Sequence, residues 1–596
     1  MLVTGLSPFA LFDDATWPHK PALLLTNPSA LIEATNPDAV PGALAALDGA
    51  IGRGQTVAGY CAYELGYCFE RRLQHLAPAH AGPLLRFHVF EDREWIDARA
   101  RTRWLLERAT GPAMTAQSSL PLSLAGYRRR FDRVHQLIGD GDVYQVNLTM
   151  KLKLHDAGDA LQSYLDLRDR ARTGACSLLH FDDEDVLSLS PEKFFSVKGG
   201  RISVRPMKGT VPRKPDCASD RQAMQALRND PKQRAENLMI VDLMRNDISR
   251  VCIPGSVRVD DLFTVETYPT FHTLTSGVSG NLSGEAKLST LLPALFPCGS
   301  VTGAPKIRAM EIIREVEGGP RGVYCGAIGF ASKDLMAFNV AIRTISLRHD
   351  EAVMGVGGGI VWDSDAVSEY EESRLKARFF TDAAEPIRLI ETIRWSHEAG
   401  FYLLDRHFTR LAQSCAYFGF VFDRDAVTRH LMQIVDGKTG TLRLRLTLGV
   451  RGDTQIESEP LSLPVTSEAW RYVIALKRVD TSDWRLYHKT TRRDIYEQLK
   501  LQTPAHEIAD EIVLVNERGE VTEGCRSNLF VERDGIWLTP PLSSGLLDGC
   551  LRRELIECGP QRVVERVLRP QDLTQGTVWF GNSLRGLVPG SAIALP

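Results

Sequence analysis

The stretch 357–376, GGGIVWDSDAVSEYEESRLK, decides how the first half of this chain is interpreted. Its second part predicts a helix, which one of the polar residues at 363–365 can cap. On that helix Glu369 and Glu372 are three residues apart and Lys376 follows four residues later, so all three share one face. On an isolated helix, such a face is more often a solvated row of ion pairs than a binding site.

Three successive glycines, Gly357, Gly358 and Gly359, stand directly before this helix. Glycine lets backbone N–H groups approach a ligand closely, so we expect the run to form a concave site for an anion. Carboxylates are ligands that Mg²⁺ prefers. The two features together favour a site for a carboxylate substrate bridged to Mg²⁺.

A second carboxylate-bearing helix is predicted over residues 231–250, PKQRAENLMIVDLMRNDISR. Its centre, residues 238–244, is apolar on almost every side apart from Asp242, which predicts a buried helix. Glu236 lies on this element, and a buried carboxylate must be paired or bind a metal. An ion pair with Arg234 and a metal ligand are equally open on these residues alone.

Ordered blocks extend the pattern across the first two thirds of the chain. They are SPEKF at 190–194, RPMKGT at 205–210, ENLMIVDL at 236–243, GSVTGAPK at 299–306 and GAIG at 326–329. With the 357–376 stretch, they resemble the chorismate-utilising enzymes, which include anthranilate synthase component I, aminodeoxychorismate synthase component I, and the isochorismate and salicylate synthases. The resemblance covers residues from about 120 to 380.

The resemblance implies roles for individual residues. Glu236 and Glu372 would bind Mg²⁺ with Glu369 nearby, and Glu192 would be the general acid that helps the C4 hydroxyl of chorismate leave. A carboxylic acid in an apolar pocket suits that task, because burial raises its pKa. The residues implied to bind or line the substrate are Gln145, Thr302, Tyr324, Arg343, Gly358 and Lys376.

Two positions separate the branches of this family. Members that add water resemble the segment around Gln145 but carry a lysine there as a base, whereas ammonia is already a nucleophile and needs none. Lys208 of RPMKGT is similar to the lysine of the aminodeoxychorismate synthases, where anthranilate synthases carry a small residue. By that resemblance Lys208 attacks C2 of chorismate and ammonia then enters at C4. In isolation, a lysine at a strand end is usually solvated.

The last third of the chain carries a different set of motifs. They are LDRHFTRL at 404–411, HKTT at 488–491, EGCRSN at 523–528, GLLDG at 545–549 and GNSLRG at 581–586. Together they resemble the fold-type IV pyridoxal phosphate (PLP) enzymes, which include branched-chain and D-amino acid aminotransferases and aminodeoxychorismate lyase. Lys489 would then form the Schiff base with PLP, and Glu523 would keep the pyridine nitrogen protonated.

The same resemblance implies a phosphate site. GLLDG is predicted to open a helix, whose free N–H groups and dipole favour an anion. The residues implied to hold the phosphate are Arg410, Leu547, Asp548, Asn582 and Ser583.

A chain of 596 residues is too long for one hydrophobic core. We expect an α/β (α+β) protein with a chorismate-utilising fold of β-sheets covered by helices, followed by a fold-type IV domain of two subdomains. The expected limits are 1–115 for the N-terminal part of the chorismate-binding domain, 116–380 for its catalytic core and 387–596 for the lyase domain. The junction is predicted at TDAAEP, residues 381–386.

The two halves together predict amination of chorismate to 4-amino-4-deoxychorismate, followed by PLP-dependent loss of pyruvate to give 4-aminobenzoate for folate synthesis. The sequence contains no GxCxG turn of a glutaminase, so ammonia is expected from a separate glutamine amidotransferase subunit. A homodimer through the PLP domain is also expected. Two alternatives are an anthranilate synthase component I fused to a PLP aminotransferase, and a non-catalytic regulatory chain.

Composition adds exclusions. The chain is 43% hydrophobic and 24% charged, with a formal net charge of −3, which gives no reason to expect a nucleic acid or a membrane as partner. No apolar run is long enough to span a bilayer, and the first residues lack the basic region of a secretory signal. The expected location is the cytoplasm.

Overall fold

The computed structural model describes most of the chain in nine ranges. They are residues 5–16, 20–77, 82–114, 117–119, 122–155, 158–348, 351–381, 387–462 and 469–593. The chain divides into two compact units, one of Met1–Pro212 with Met224–Ala384 and one of Arg213–Ala223 with Glu385–Pro596. The predicted limit between residues 115 and 116 lies outside the described residues, as does the predicted junction from residue 382 onward.

The first unit combines strands and helices along its whole length. Its described strands are β1 Phe9–Asp13, β2 Ala22–Ala34, β3 Thr56–Cys61, β4 Leu85–Ile96, β5 Gln117–Ser119, β6 Gln145–His155, β7 Ala175–His180, β8 Glu184–Ser190, β9 Lys193–Lys198, β10 Arg201–Val204, β11 Met207–Pro212, β12 Arg258–Thr267, β13 Phe271–Asn281, β14 Gly303–Ala304, β15 Ala327–Ala331, β16 Leu335–Val340, β17 Thr344–Arg348 and β18 Glu351–Ile360. Its described helices are α1 Val40–Gly52, α2 Leu65–Phe69, α3 Ala98–Leu106, α4 Leu124–Gly139, α5 Ala160–Ala171, α6 Cys217–Asn229, α7 Pro231–Ser249, α8 Leu288–Leu295, α9 Lys306–Glu317 and α10 Ala366–Thr381. The first seven residues of α6, 217–223, belong to the second unit.

Two strand pairings position the functional residues of this unit. Strands β18 and β6 run antiparallel from Ala352 opposite Leu154 to Ile360 opposite Val146. Strand β13 pairs with β10, β11 and β12, and the β11 register shifts between Met207 and Thr210. Lys208 therefore lies at an irregularity of its strand, where the ladder is interrupted.

The helices that carry the acidic residues begin at aspartate caps. Asp365 accepts hydrogen bonds from the N–H groups of Val367 at 3.1 Å and Ser368 at 2.9 Å, so it caps α10. Asp230 accepts from the N–H groups of residues 232 and 233 at the start of α7, with Pro231 at the first helical position. These caps fix which turn of each helix presents its carboxylates.

Helix α7 is buried on one face only, so the expectation of a helix buried nearly all round is wrong. Leu238 is 49% exposed, and the Asp242 side chain is in an ion pair with Arg245 at the surface. Ile240, Val241 and Met244 are buried. The apolar residues of α7 extend beyond its buried face, because a helix that covers a sheet still exposes one side to solvent.

The second unit is richer in strands. Its described strands are β19 Leu389–Ser396, β20 Gly400–Phe401, β21 Thr441–Leu448, β22 Thr454–Pro460, β23 Trp470–Ile474, β24 Glu511–Val515, β25 Val521–Gly524, β26 Asn528–Arg533, β27 Ile536–Thr539, β28 Val563–Glu565, β29 Thr577–Asn582 and β30 Gly586–Ala592. Its helices after residue 386 are α11 Leu404–Phe418, α12 Arg424–Val435, α13 Asp494–Leu501 and α14 Cys550–Cys558.

These strands form two separate sheets. One has the order β20-β19-β21-β22 and shares a core with α11 and α12, and the other has the order β25-β24-β23-β30-β29-β26-β27-β28. Two sheets in one unit agree with two subdomains, and the predicted fold class is confirmed for both halves of the chain. Among the described residues, no helix is both long and apolar enough to cross a bilayer.

Two candidate active sites

Lys208 lies beside an acidic residue of the first unit. Its Nζ atom is 3.6 Å from Oε2 of Glu236, and only 19% of its side chain is exposed. Burial raises the pKa of the Glu369 carboxyl, with Lys208 among the charges that oppose the rise, whereas Lys376 and, to a smaller extent, Lys208 hold the pKa of Glu372 below its usual range despite burial. The amine therefore lies beside one predicted magnesium ligand and is mostly shielded from solvent, which disfavours the alternative of a solvated lysine at a strand end.

Asn237 fixes this arrangement, and sequence reasoning missed it. Its side-chain amide donates to the carbonyl oxygens of Lys208 and Leu274, each at 3.2 Å, and accepts from the Ser276 hydroxyl at 2.6 Å. The residue is fully buried. A buried asparagine whose side chain hydrogen-bonds to two strands fixes the distance between those strands and its own helix. Asn237 therefore holds Lys208 beside the neighbouring Glu236. A polar residue on the buried stripe of α7 was the available signal.

The glycine run 357–359 acts differently from the expectation. All three residues lie in β18 and pair with β6, so they form an extended strand rather than a concavity of free N–H groups, and the contact of Gly358 with a substrate carboxylate stays a prediction. Their missing side chains create space. A Cβ atom on Gly358 would lie 2.7 Å from Oε2 of Glu369, and one on Gly359 would lie 3.1 Å from Nζ of Lys208.

Gln145 completes the wall beside Lys208. A Cβ on Gly359 would also lie 3.2 Å from its Nε2 atom. The residue is fully buried, and neither polar atom of its side chain has a hydrogen-bond partner among the described residues. A buried amide without a partner costs free energy, so its two groups are available to a bound ligand.

Glu192 has the properties of a general acid. Burial raises the pKa of its carboxyl to about 7, against the opposing effects of Ser300, the Met207 backbone and Lys208. Its Oε1 atom has no hydrogen-bond partner within the described ranges. A carboxyl with this pKa is substantially protonated near neutral pH and can donate a proton.

Tyr324 and Lys376 line the strand that carries the glycines. The Tyr324 ring occupies the place of a side chain on Gly355, because a Cβ there would lie 2.1 Å from the ring. Lys376 donates to the carbonyl of Gly357 at 2.8 Å and pairs with Glu372 at 2.6 Å. Both residues thus lie beside strand β18.

Burial and local contacts determine the state of the Arg343 guanidinium and the Thr302 hydroxyl. Burial lowers the pKa of the Arg343 guanidinium to about 10, and its carbon lies 5.0 Å from the centre of the Phe271 ring. Thr302 is fully buried, and its hydroxyl donates to the carbonyl of Cys298 at 2.8 Å. The hydroxyl proton is therefore engaged within the fold, and the contact of Thr302 with substrate stays a prediction.

The three predicted magnesium ligands offer the right chemistry without forming a closed set. The oxygens of Glu236, Glu369 and Glu372 do not converge within 4.8 Å, in a search limited to the residues that the structure describes. Glu236 and Glu372 are instead in contact with Lys208 and Lys376. Mg²⁺ keeps several waters and needs only one or two carboxylates, so this donor set fits the ion.

Lys489 is the central amine of the second unit. Its Nζ donates to the Thr392 hydroxyl at 3.1 Å. Burial, with a smaller contribution from Arg410, lowers its pKa to about 8. A lysine with this pKa is partly neutral near physiological pH, which an amine needs in order to attack an aldehyde.

Glu523 lies buried in β25 and is held from two sides. Tyr496 donates to its Oε1 atom at 3.2 Å, and the Asn528 amide donates to Oε2 at 3.2 Å. Burial raises its pKa to about 8. Ionising this buried carboxyl is costly unless a partner shares its proton. The pyridine nitrogen of PLP is such a partner, so the oriented Glu523 carboxyl fits that cofactor.

Arg410 is anchored by a buried carboxylate that sequence reasoning missed. Glu391 accepts from Arg410 Nε at 2.9 Å and Nη2 at 2.6 Å, and from His407 Nδ1 at 2.6 Å. The two cations hold the pKa of Glu391 well below its usual range despite burial. Glu391, His407 and Cys550 form a compact group of metal-ligand types, but the guanidinium already occupies the carboxylate. The signal available in the sequence was the acidic residue within the largely apolar strand LIETIRW.

The predicted phosphate residues cluster in part. Arg410 Nη1 donates to the carbonyl of Asp548 at 3.4 Å, which brings the guanidinium to the turn before α14. The Leu547 backbone is engaged with Glu523 and Asn528, so a contact of Leu547 with phosphate stays a prediction.

Asn582 and Ser583 lie at the end of β29. The Asn582 side chain accepts from the N–H groups of Leu584 and Arg585 at 3.1 and 2.9 Å and shapes its own loop. Ser583 is buried. The side chain of Asn582 thus serves the loop, and the roles of both residues at a phosphate stay predictions.

Comparison with known protein families gives two matches that divide the chain. The profile of the family described as chorismate binding enzyme matches residues 7–382, and that of the family described as amino-transferase class IV matches residues 388–593. The first match covers more than half of the chain. The second lies wholly within the region that carries Lys489 and Glu523.

Individual relatives match about half of the chain. Aminodeoxychorismate synthase component 1 of Salmonella typhimurium is 44% identical over 282 residues, which are 46% of this chain and 62% of that protein. The protein of the same name from Klebsiella aerogenes is 43% identical over 332 residues, which are 52% of this chain and 73% of that protein. The chain thus spans less than two thirds of the length of the Salmonella relative.

A solved structure agrees with the fold. Anthranilate synthase component I from Streptococcus pneumoniae superposes with a TM-score of 0.53 at 27% sequence identity, over 61% of this chain and 92% of that chain.

Proposed function

Since this chain belongs to the family of chorismate binding enzymes, we propose that it aminates chorismate at C4 and then removes pyruvate to give 4-aminobenzoate. The observation that carries the proposal is the position of the Lys208 amine, 3.6 Å from Glu236 and against Gly359. A small residue at 208 would leave this space to ammonia or water. The names of the Salmonella and Klebsiella relatives support the same choice.

The amination step uses two groups of opposite function. Lys208 forms a bond to C2 of chorismate as the ring double bonds shift and the C4–O bond breaks. Glu192 gives its proton to the departing hydroxyl, which leaves as water. Ammonia then adds at C4, the double bonds shift back and the C2–N bond to Lys208 breaks. Chorismate and ammonia thereby give 4-amino-4-deoxychorismate and water.

The remaining residues of the first site gather a dianion. Lys376 and Arg343 supply cations for its carboxylates, and the buried amide of Gln145 supplies a donor and an acceptor. Mg²⁺ held by Glu236, Glu369 and Glu372 would neutralise one carboxylate and fix its orientation. The ammonia comes from a separate glutamine amidotransferase or from solution.

The second site moves one proton. Lys489 takes the proton from C4 of the aminated product; the C3–O bond breaks, and a C3–C4 double bond forms that makes the ring aromatic. The departing enolpyruvate takes up a proton at carbon and becomes pyruvate. PLP supplies an electron sink for this step when bound. Glu523 would hold the proton shared with its ring nitrogen, and Arg410 would bind its phosphate.

Two full-length variants test the assignment of each half to its site. Lys489→Ala, given chorismate, ammonium and Mg²⁺, is expected to accumulate 4-amino-4-deoxychorismate. Lys208→Ala is expected to make no 4-amino-4-deoxychorismate from chorismate but to convert supplied 4-amino-4-deoxychorismate to 4-aminobenzoate. A mixture of the two variants should restore 4-aminobenzoate from chorismate, measured by chromatography. Formation of 4-aminobenzoate by Lys489→Ala alone would refute the lyase assignment.

A further inference from the structure

An eleven-residue excursion, Arg213–Ala223, belongs to the second compact unit although it stands in the sequence between two parts of the first. Its first residue follows β11 directly, and its last seven residues, 217–223, form the first part of α6. The second unit therefore contains a piece of chain that lies more than 160 residues before the rest of it. The contacts of this piece decide what it does there.

The excursion is locked by a buried ion pair. Arg213 Nε donates to both oxygens of Asp220, at 3.0 and 2.9 Å, and the Lys214 N–H donates to Oδ1 of Asp220 at 2.8 Å. Each of the paired side chains is only 7% exposed. A charge pair shielded from solvent with this geometry orients its members far more strongly than a surface pair does.

The locked excursion grips Tyr417 near the end of α11. The Arg213 guanidinium lies 4.2 Å from the centre of the Tyr417 ring and donates to the Tyr417 carbonyl at 2.8 Å. In return, the Tyr417 hydroxyl donates to the carbonyl of Lys214 at 2.8 Å. Three contacts fix both the ring and the backbone of one residue.

Tyr417 in turn packs against the residue that precedes Lys489. Its ring lies 4.2 Å from the imidazole of His488, and the Phe418 ring lies 4.8 Å from the same imidazole. The Ser414 hydroxyl is 3.0 Å from His488 Nδ1. His488 is 4% exposed, so it is wedged between these partners.

We propose that the excursion Arg213–Ala223 is a positioning element of the lyase site, in which Arg213 and Asp220 fix Tyr417 and His488 and thereby the direction of Lys489. This inference rests on the proposed lyase function of Lys489. On the far side of the lysine, the N–H of Ile390 donates to the Lys489 carbonyl at 2.8 Å. The clamp and this strand bond hold the lysine from both ends.

His488 acts in the clamp as a wedge and not as an acid or base. Burial lowers its pKa to about 4, so the ring is neutral near physiological pH. Its contacts include two aromatic rings and one hydroxyl, which constrain its position. The expected effect of breaking the clamp is therefore a misplaced Lys489, which lowers kcat more than it raises KM.

The test compares full-length Arg213→Ala with Arg429→Ala, which removes an exposed arginine of α12 in the same unit. Hydrogen exchange of the segment 484–490 in the chain free of PLP is expected to be about tenfold faster in Arg213→Ala and unchanged in Arg429→Ala. With 4-amino-4-deoxychorismate and PLP, kcat should fall about tenfold to a hundredfold while KM changes less than about threefold. Amination of chorismate should match the wild type.

Two further variants keep the test decisive. Asp220→Asn removes the buried ion pair without changing the Arg213 contacts to Tyr417. It should give the same pattern, and it replaces Arg213→Ala in the test if that variant folds poorly. Arg213→Lys keeps the positive charge and should restore part of the protection from exchange. Exchange and kcat equal to the wild type in both Arg213→Ala and Asp220→Asn would overturn the clamp. A wild-type chain without lyase activity would instead refute the proposed function, while the exchange comparison would still decide the clamp.

Discussion

The amine of Lys208 and the carboxylate of Glu236 lie 3.6 Å apart, on a strand and a helix that Asn237 joins. This relationship connects the proposed nucleophile to a predicted magnesium ligand. In the proposed amination, Lys208 leaves this carboxylate before its amine attacks the substrate. The proposed first step therefore depends on an exchange of partners.

Lys208→Arg separates charge from nucleophilicity. The guanidinium keeps a cation beside Glu236 but cannot attack carbon, because it stays protonated. We expect 4-amino-4-deoxychorismate formation to fall at least about a hundredfold, measured by coupling to excess lyase activity. Lys198→Arg, at the exposed end of β9, is the control and should not change the rate. A rate within about threefold of the wild type for Lys208→Arg would show that only the charge matters.

Gly359→Ala tests the space that the glycine run creates. The added methyl would lie 3.1 Å from Nζ of Lys208 and 3.2 Å from Nε2 of Gln145, so one of these groups must shift. Amination is expected to fall at least about tenfold, with thermal unfolding nearly unchanged. Gly284→Ala is the matched control, since a Cβ there meets nothing within 4 Å. Equal activity in both variants would remove Gly359 from the site.

The pKa of Lys489, lowered to about 8 by burial and by Arg410, predicts how PLP binding depends on pH. Only the neutral amine attacks the aldehyde, so the binding rate should rise as pH increases through 8 and then level. The expected increase is about fivefold from pH 7 to pH 8 and less than about twofold above it, measured by stopped-flow absorbance on the PLP-free chain. A rate that still rises about tenfold per unit at pH 9 would indicate an ordinary lysine.

Glu391→Gln tests the support of Arg410. The change leaves Arg410 and His407 buried without their shared anion, which typically costs about 3 to 5 kcal/mol of stability. We expect a lower unfolding midpoint for the second unit and at least about tenfold weaker PLP retention, measured by dialysis and absorbance. Glu459→Gln, which removes an exposed partner of Arg443, should alter neither property. Unchanged PLP retention in Glu391→Gln would separate this carboxylate from the cofactor site.

Much of the site could be predicted from the sequence because the chemistry is encoded in short blocks. RPMKGT placed Lys208 next to the acidic helices, and the spacing of Glu369, Glu372 and Lys376 placed them on one helical face, with Lys376 in contact with Glu372 as expected. The capping residue was one of three candidates, and Asp365 fills the role. Local rules of helix geometry suffice for such features.

The rest depended on tertiary contacts that no local pattern contains. The glycines at 357–359 were expected to form a concave site for an anion, but pairing of β18 with β6 makes them a strand whose surface, without side chains, leaves room for Lys208 and Glu369. The apolar residues of α7 predicted more burial than the helix has, because only one side of that helix is buried.

Long-range placement was also beyond sequence reasoning. Nothing in RKPDCASDRQA, residues 213–223, marks it as part of the second unit, because its partners lie about 200 residues later. The support that Glu391 gives Arg410 crosses from a strand to a helix in the same way. Such contacts follow from the fold and not from any spacing of residues.

The most direct test of the whole account is identification of the products made by the wild-type full-length chain. With chorismate, ¹⁵N-labelled ammonium, Mg²⁺ and PLP, we expect labelled 4-aminobenzoate and pyruvate in equal amounts, measured by mass spectrometry. Without PLP, and with cofactor removed by dialysis, labelled 4-amino-4-deoxychorismate should accumulate instead. Labelled anthranilate as the main aromatic product would contradict the account.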